Sequence, residues 1–195
     1  MGRRPAITRE AVVTTAIELI DRDGMAAFSL DRVARALNVR GPSLYNHFAD
    51  RSEILTEVAR AIVLETPRVP DPEPGRWREW LIAECREFRS TLLRHPNVVP
   101  VVFTWFPEKL LDKLYDRYSA LLAEHGVPES HRLFLLEATH RMTVGSAVCT
   151  ATGRPAALEL PWSTATAGTD ADADEILFVE MLKAFLAGVD IGSSR

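Results

Sequence analysis

The chain has 195 residues, of which 47% are hydrophobic, and its formal net charge is −4. This length allows one or two domains with a sizeable core, and the acidic balance does not by itself indicate a nucleic-acid binder. Two cysteines far apart make neither a disulfide framework nor a zinc site. Without an apolar signal core or a run of ~20 apolar residues, we expect a soluble cytoplasmic protein that does not cross a membrane.

The N-terminal end of the chain is basic. Residues 1–7 form a short arm with Arg3 and Arg4, which can reach phosphates or a groove of a nucleic acid. Thr8 is predicted to cap the first helix, which runs to about Arg22 and is ended by Gly24. Residues 1–51 carry eight arginines against six acidic residues, whereas the remainder is acidic. This asymmetry is typical of a protein that contacts DNA with one end only.

Residues 29–48 are predicted to form two short helices joined by a tight turn. Ser29 suits the N-cap of the first, because its hydroxyl can accept a free backbone N–H of the first turn. Asn38 tolerates the left-handed backbone that a helix end needs. Pro42 is favoured in the first turn of the second helix, where its missing N–H costs nothing. The spacing therefore predicts a helix-turn-helix.

The second helix of this pair has an unusual outer face. Leu44 and Phe48 are four residues apart and would face inward. The outward positions hold short polar or aromatic side chains without an acid: Ser43, Asn46 and His47, with Tyr45 at the edge. Asparagine can bond an adenine edge in a bidentate manner, and the other groups can reach phosphates or base edges, so the helix suits a DNA major groove. An ordinary helical hairpin with a polar surface is the alternative, because this geometry is common in all-α proteins.

The remaining chain is predicted to be helical. Asp50 caps a helix from Arg51 to about Glu65, and a segment with four prolines, residues 66–75, is the clearest linker. We therefore predict domains at 1–66 and 67–195. The further predicted helices span residues 76–94, 97–106, 108–125, 128–152 and 174–188, with a loop at 153–173. No strand is convincing, so the expected fold is all-α with about nine helices: an N-terminal three-helix, homeodomain-like helix-turn-helix domain and a larger helical domain.

The last two long helices are more apolar than a monomer requires. One stripe on the first of them holds Leu135, Ala138, Met142, Gly145 and Cys149, the opposite faces hold Leu136, Thr139, Thr143 and Ala147, and the last helix offers Phe178, Leu182, Phe185 and Val189. Small residues let helices approach closely, so a symmetric four-helix contact between two copies would bury these surfaces. A helix that is fully buried within one subunit is the alternative.

The amino-acid sequence of the N-terminal third resembles the DNA-binding domain of the TetR family of bacterial repressors. The matching residues are Ala16 to Ile20, Gly24, Ser29 to Val39 and Ser43-Leu44-Tyr45-Asn46-His47-Phe48, and the resemblance covers about residues 6–66. The remaining two thirds resemble the family only in length and helical character. The resemblance implies a homodimer through the last two long helices, with two recognition helices about 34 Å apart on a palindromic operator.

The resemblance also implies which residues contact DNA. They are Ser29, Arg40, Gly41, Pro42, Ser43, Tyr45, Asn46, His47 and Arg51. We expect phosphate contacts from Tyr45, His47 and Arg51, and base contacts from Ser43 and Asn46. Pro42 would make an apolar contact, Arg40 could reach guanine, and Ser29 would present a helix N-terminus to a phosphate. Two departures from the family pattern, Gly41 and Asp31, bear on the sequence preference.

A small-molecule pocket in the second domain is the other implied feature, and filling it would tilt the fourth helix and loosen DNA binding. Candidate walls are Phe88, Phe103, Trp105, Phe106, Tyr118, His140 and Met142, and the effector would be small and largely apolar. Plain core packing is the alternative for each aromatic. A constitutive or partner-controlled regulator without an effector, and an activator in place of a repressor, stay open. No enzyme motif, metal site or cofactor site is recognisable.

Overall fold

The computed structural model of the chain describes residues 7–153 and 170–189. The basic arm with Arg3 and Arg4 and most of the loop predicted at 153–173 therefore lie outside the described residues. All regular secondary structure among the described residues is helical, which confirms the predicted all-α fold. The α-helices are α1 (Arg9–Asp23), α2 (Leu30–Ala36), α3 (Arg51–Glu65), α4 (Trp77–Arg94), α5 (Val99–Thr104), α6 (Glu108–Glu124), α7 (Glu129–Ala151) and α8 (Asp170–Gly188), with 3₁₀ helices at Met25–Ala27 and Gly41–Asn46.

The chain divides into two compact units. The first unit holds residues 1–65 and 95–107, and the second unit holds residues 66–94 and 108–195. This division differs from the sequence-based boundary, which placed all residues after 66 in the second domain. The difference arises because α5 packs against α3 and buries Val99, Val101 and Val102 in the first unit. The apolar run was visible in the sequence, but its partner was not.

Local backbone signals set the ends of the helices in the first unit. The Thr8 hydroxyl accepts the Ala11 N–H at 3.1 Å, and the Ser29 hydroxyl accepts the Arg32 N–H at 3.3 Å. Asn38 lies in the left-handed region with φ 53°, as a helix end requires. The Asp50 carboxylate accepts the Glu53 N–H at 2.9 Å. These contacts confirm the predicted caps and give the helix-turn-helix its boundaries.

The core of the first unit is apolar and continuous with the helix-turn-helix. Its buried side chains include Val12, Ala16 and Ile20 of α1, Val33 of α2, Leu44 and Phe48, and Ile54, Leu55, Val58 and Ile62 of α3. A second anchor joins three segments of this unit: the His95 ring contacts the carboxylates of Asp21 and Glu65, and the Asn97 amide donates to the Asp21 carbonyl at 2.8 Å. The ends of α1 and α3 are thereby tied to the segment that precedes α5.

The second unit has a core of tryptophans and leucines. Trp77, Trp80 and Leu81 of α4 pack with Leu121, Leu122, Leu135, Leu136 and Leu186. Phe178 and Leu182 of α8 pack instead against Cys85 of α4 and are 1% and 0% exposed. The expectation that these two residues face a second subunit is therefore wrong. It is wrong in the same way for five residues of α7 that are buried within the chain: Leu135, Leu136, Thr139, Thr143 and Ala147. On a helix as apolar as α8, composition does not distinguish the inner face from the outer one.

A buried arginine joins α4 to the last two helices. Arg89 is 3% exposed and its guanidinium donates to Ser146 at 2.8 Å, to Thr150 at 3.0 Å and to Glu175 at 3.1 Å. It also pairs with Asp174 and lies 5.1 Å from the Phe178 ring centroid. A buried guanidinium is tolerated because both charge and hydrogen bonds are matched.

Replacing Arg89 with methionine is expected to lower the free energy of unfolding by about 3 kcal/mol or more, because Asp174 would keep its burial and lose its counter-charge. The matched control is Arg86→Met, which removes an exposed ion pair to Glu175 and should cost less than about 1 kcal/mol. Urea denaturation at one fixed protein concentration measures both. Equal losses in the two variants would show that burial of Arg89 does not matter.

Candidate functional site

The second helix of the helix-turn-helix is a short 3₁₀ helix, Gly41–Asn46, which we call the recognition helix. Pro42 lies in its first turn, as predicted. The turns are closed by the Ser43 N–H on the Arg40 carbonyl and the His47 N–H on the Leu44 carbonyl, both at 2.9 Å. Bonds of this type have poor geometry, so the segment needs support from outside.

Burial divides the recognition helix into an inner and an outer side. Leu44 and Phe48 are 1% and 3% exposed and enter the core of the first unit. Tyr45 is 58% exposed, which is far more than a tyrosine with a purely structural role requires. Arg40, Pro42, Asn46 and Arg51 are also exposed, whereas Ser29, Gly41, Ser43 and His47 are half-buried. All nine predicted DNA-binding residues therefore lie at the surface of the first unit.

Arg51 packs on the aromatic ring of Phe28. The Arg51 guanidinium lies 5.2 Å from the centroid of the Phe28 ring, which directly precedes Ser29 at the start of α2. A cation held over an aromatic face keeps its charge available to solvent and anions. The Arg51 charge is thus held over the ring of the residue that precedes the N-cap of α2.

The two departures from the family pattern are neighbours in space. A Cβ added at Gly41 would lie 3.6 Å from the Asp31 carboxylate, which is an ordinary contact. Packing therefore does not require glycine at position 41. The exposed Asp31 carboxylate places a negative charge at the start of the recognition helix.

Sequence reasoning missed Arg9. Its guanidinium donates to the His47 carbonyl and, at 2.7 Å, to Glu53, and it lies 4.2 Å from the centroid of the Phe48 ring. The other oxygen of Glu53 accepts the Ala49 N–H at 2.6 Å, and this bond, followed by the bond from Arg9, lowers the pKa of Glu53. The partners are 38 and 44 residues from Arg9, so no local pattern could have indicated them.

A second ionic tie fixes α2. Arg32 donates to the Ala27 carbonyl at 3.0 Å and pairs with Asp23 at the end of α1. Hydrogen bonds from Arg22, with a further one from Arg32, lower the pKa of Asp23 to about 2. The carboxylate is therefore ionised at neutral pH, and α2 is held at both its cap and its side.

The predicted effector-contacting residues fall into both units. Phe103, Trp105 and Phe106 belong to the first unit, where Phe103 is 68% exposed. Phe88, Tyr118, His140 and Met142 belong to the second unit. The structure therefore does not gather the seven residues into one cluster within either unit.

Two aromatic groups in the second unit include the remaining candidates. The His140 ring stacks on Phe88 with centroids 6.0 Å apart, and Tyr115 meets it edge-on at 6.4 Å. Burial lowers the pKa of His140, which favours the neutral imidazole. Met142 lies nearby in the chain and packs against the cluster of Cys85, Phe178 and Leu182. The pair of Phe88 and His140 offers a flat, neutral aromatic surface.

Tyr118 belongs to the other group. Its ring meets Trp80 edge-on with centroids 5.2 Å apart, and its hydroxyl donates to the buried Glu84 carboxylate at 2.8 Å. Burial raises the pKa of Glu84, although the bonds from Tyr118 and from the Val69 N–H, at 3.3 Å, oppose that rise. This group stabilises a polar side chain inside the tryptophan core.

Among residues 7–153 and 170–189, no cluster of histidine, cysteine and acidic side chains could hold a metal ion. None of the helices in the same ranges is long and apolar enough to cross a membrane.

An exposed tyrosine and asparagine on a helix-turn-helix with a fixed arginine beside it define a DNA-binding regulator of the helix-turn-helix class. The chain matches the family model for bacterial regulatory proteins of the tetR family over residues 12–58, and the model for the tetracyclin repressor-like C-terminal domain over residues 69–175. The protein belongs to the TetR family. Members of this family are transcription regulators and not enzymes, in agreement with the sequence-based prediction.

The curated relatives agree with this assignment. An HTH-type transcriptional regulator of Saccharopolyspora erythraea is 34% identical over 93 residues, which are 48% of this chain and 39% of that protein. The chain thus spans well under two thirds of that relative. The tetracycline repressor protein class D of Escherichia coli is 26% identical over 199 residues, covering 95% of this chain and 90% of the repressor.

Solved structures share the fold. BioQ bound to its double-stranded DNA operator superposes with a TM-score of 0.68 at 23% identity, covering 91% of this chain and 99% of BioQ. ActR of Streptomyces coelicolor in complex with actinorhodin gives a TM-score of 0.74 at 24% identity, covering 94% of this chain and 96% of ActR. At sequence identities below 25%, this structural similarity establishes the fold alone.

The raised pKa of Glu84 predicts a pH dependence of stability. Between its ordinary value of 4.5 and the raised value, the folded state binds more protons than the unfolded state, so wild-type stability falls as pH rises through that window. Glu84→Gln should remove this fall. Glu137→Gln is the control with the opposite sign, because hydrogen bonds from Tyr115 and Arg141 lower the pKa of Glu137, whose stabilisation is lost as pH falls below 4.5. Urea unfolding between about pH 3 and 8 covers both windows, and it would contradict the prediction if the curves of stability against pH for wild type and Glu84→Gln were parallel.

Proposed function

We propose that this protein is a ligand-responsive repressor that binds a palindromic operator as a homodimer and leaves it when a small, largely apolar effector binds. The observation that carries the proposal is the recognition helix, which exposes Tyr45 and Asn46 while Leu44 and Phe48 hold it in the core. Residues exposed without a structural partner on a rigid support are suited to binding. Family membership supports a cytoplasmic location.

At the DNA, we assign phosphate contacts to Tyr45, His47 and Arg51. Arg51 is suited to this role because its guanidinium is held over Phe28 at the surface. Base contacts are assigned to Asn46, whose amide can bond adenine in a bidentate manner, and to Ser43. Apolar contact by Pro42, a guanine contact by Arg40, close backbone approach at Gly41 and a phosphate near Ser29 complete the proposed interface.

The dimer is proposed to form through α7 and α8. These helices leave five large apolar side chains exposed: Leu133, Phe134, Ile176, Leu177 and Met181. The rings of Phe134 and Phe185 lie 5.7 Å apart, so apolar groups of both helices are continuous at this surface. An exposed patch of this kind indicates a protein partner, and a two-fold contact between copies buries it twice. Two recognition helices about one turn of DNA apart would then contact the halves of a palindrome.

The effector is proposed to bind in the second unit beside Phe88 and His140. Their stacked, neutral rings suit a flat apolar molecule, and Tyr115, Tyr118 and Met142 are further candidate contacts. The sequence-predicted residues of the first unit, Phe103, Trp105 and Phe106, are left out of this proposal. The effector acts only if it binds the DNA-incompetent state more tightly than the competent one.

The path of the chain supports coupling between the two activities. The chain leaves the first unit after residue 65, returns at 95 and leaves again after 107. Within the first unit, α5 packs on α3, and His95 contacts Glu65 at the end of α3. A change in the second unit that pulls on these connections would therefore act on α3, which carries Arg51 at its start.

Selection from random duplex DNA with the purified protein at ~150 mM salt is expected to enrich a palindrome.

On the enriched duplex, Tyr45→Ala should weaken binding to every sequence about equally, because a phosphate contact carries no sequence information. Asn46→Ala should cost about 1–3 kcal/mol at one base pair and relax the preference there. Binding is measured on the enriched duplex and its single-base variants. A uniform loss with Asn46→Ala would refute the base-contacting role, and the absence of any palindrome would refute the operator model.

For the effector, a thermal-shift screen of apolar aromatic compounds should yield a molecule that releases the enriched duplex. Phe88→Ala is expected to raise the concentration needed for half-release by about tenfold, equivalent to about 1.4 kcal/mol of lost contact. The matched control is Phe103→Ala, the same truncation on an exposed side chain of the first unit, which should leave that concentration unchanged. Release by no compound would favour a constitutive or partner-controlled regulator.

A further inference from the structure

The junction between the recognition helix and α3, residues 47–50, is held by contacts from outside the helix-turn-helix. Arg9 of α1 donates to the carbonyl of His47, the residue that directly follows the recognition helix, and its guanidinium lies 4.2 Å from the Phe48 ring centroid. Glu53 of α3 accepts from the Ala49 N–H at 2.6 Å and from Arg9 at 2.7 Å. One ion pair thus holds three consecutive residues of the junction.

We propose that Arg9, together with Glu53, is a positioning residue for the DNA-binding surface. It sets the direction in which the recognition helix presents its side chains, and it does so without touching DNA. This inference rests on the proposed DNA-contacting role of the recognition helix. Arg9 lies before residues 12–58, the segment that matches the family model, so the family match does not assign it.

The physical reason is the weakness of the helix that is being held. A 3₁₀ helix of six residues has few internal hydrogen bonds, and its C-terminal carbonyls need partners outside the helix. The planar guanidinium of Arg9 meets a carbonyl, a carboxylate and a ring face at once, which a lysine ammonium could not do. The two terminal nitrogens of the Arg9 guanidinium are thus both engaged, one with the His47 carbonyl and the other with the Glu53 carboxylate.

The competing explanation is that Arg9 contacts a phosphate, as many N-terminal arginines of DNA-binding proteins do. Its side chain is 41% exposed, so burial alone does not exclude this. The two roles differ in their electrostatics. A phosphate contact releases counterions and contributes about 0.9 to the slope of log affinity against log salt, hence about two per dimer. A positioning contact contributes nothing to that slope.

The test uses the full-length protein and the duplex enriched by selection. Arg9→Gln and Glu53→Gln are each expected to weaken binding by about tenfold with the wild-type salt slope. The Glu53 variant is the sharper of the two, because removing a negative charge beside DNA would by charge alone strengthen binding. Arg60→Gln is the matched control, because Arg9 and Arg60 both contact the Glu57 carboxylate, at 3.8 and 3.5 Å, and Arg60 has no contact with the junction. This variant should bind within about twofold of wild type.

A salt slope reduced by about two in Arg9→Gln would overturn the proposal in favour of a phosphate contact, and so would unchanged or tighter binding by Glu53→Gln. Hydrogen exchange of the DNA-free protein gives a second test that does not depend on the DNA-binding role. The amides of His47, Phe48 and Ala49 should exchange faster in both variants than in wild type, while those of α1 and α3 keep their protection. Equal exchange in the junction would overturn positioning, whereas failure of wild type to bind any duplex would refute the proposed function alone.

Discussion

The DNA-binding end of this protein depends on one constraint, which is that a helix of six residues cannot fix its own orientation. Hydrogen bonds of the 3₁₀ type are too few and too poorly aligned to do so. Burial of Leu44 and Phe48 stabilises the packing of this helix on the core, but apolar contacts do not fix its orientation. Direction comes from charged groups that reach backbone atoms of the junction: Arg9 donates to the His47 carbonyl, and Glu53 accepts from the Ala49 N–H. The exposed side chains can be short and polar because the support lies elsewhere.

The elements that the sequence predicted well are those whose cause is local. Thr8, Ser29, Asn38 and Asp50 cap or end helices through contacts within a few residues, so their residue types are sufficient evidence. Periodicity likewise identified the buried side of the recognition helix. The nine DNA-contacting candidates follow from the same local pattern and from the family resemblance, and each of them is exposed or half-buried in the first unit.

The features that could not be predicted have one of two causes. Either the contacts join residues far apart in the sequence, or all sides of a helix are similarly apolar, so that the pattern does not distinguish the buried side. Nothing near Arg9 indicates partners 38 and 44 residues away. The apolar segment around α5 showed that it was buried, but not that it packs against α3. On α8, every position of the predicted stripe was apolar, so Phe178 and Phe185 looked alike, although the first is buried and the second is half-buried near Phe134. Aromatic residues of the candidate effector site were recognisable by type, whereas the division of these residues between two units was not.

The uniform apolar character of α8 gives the buried Arg89 of the second unit a second role. From Ile176 to Leu186, α8 is apolar on most sides, and such a helix could slide by one turn or rotate with little loss of hydrophobic contact. Arg89 bonds only to oxygens in fixed places, on Ser146 and Thr150 of α7 and on Asp174 and Glu175 of α8. A displaced α8 would leave that charge buried and unmatched. Arg89 and its partners therefore fix the register of the last two helices. They select a single alignment of α7 and α8, and this alignment determines the shape of the apolar surface that the two helices present.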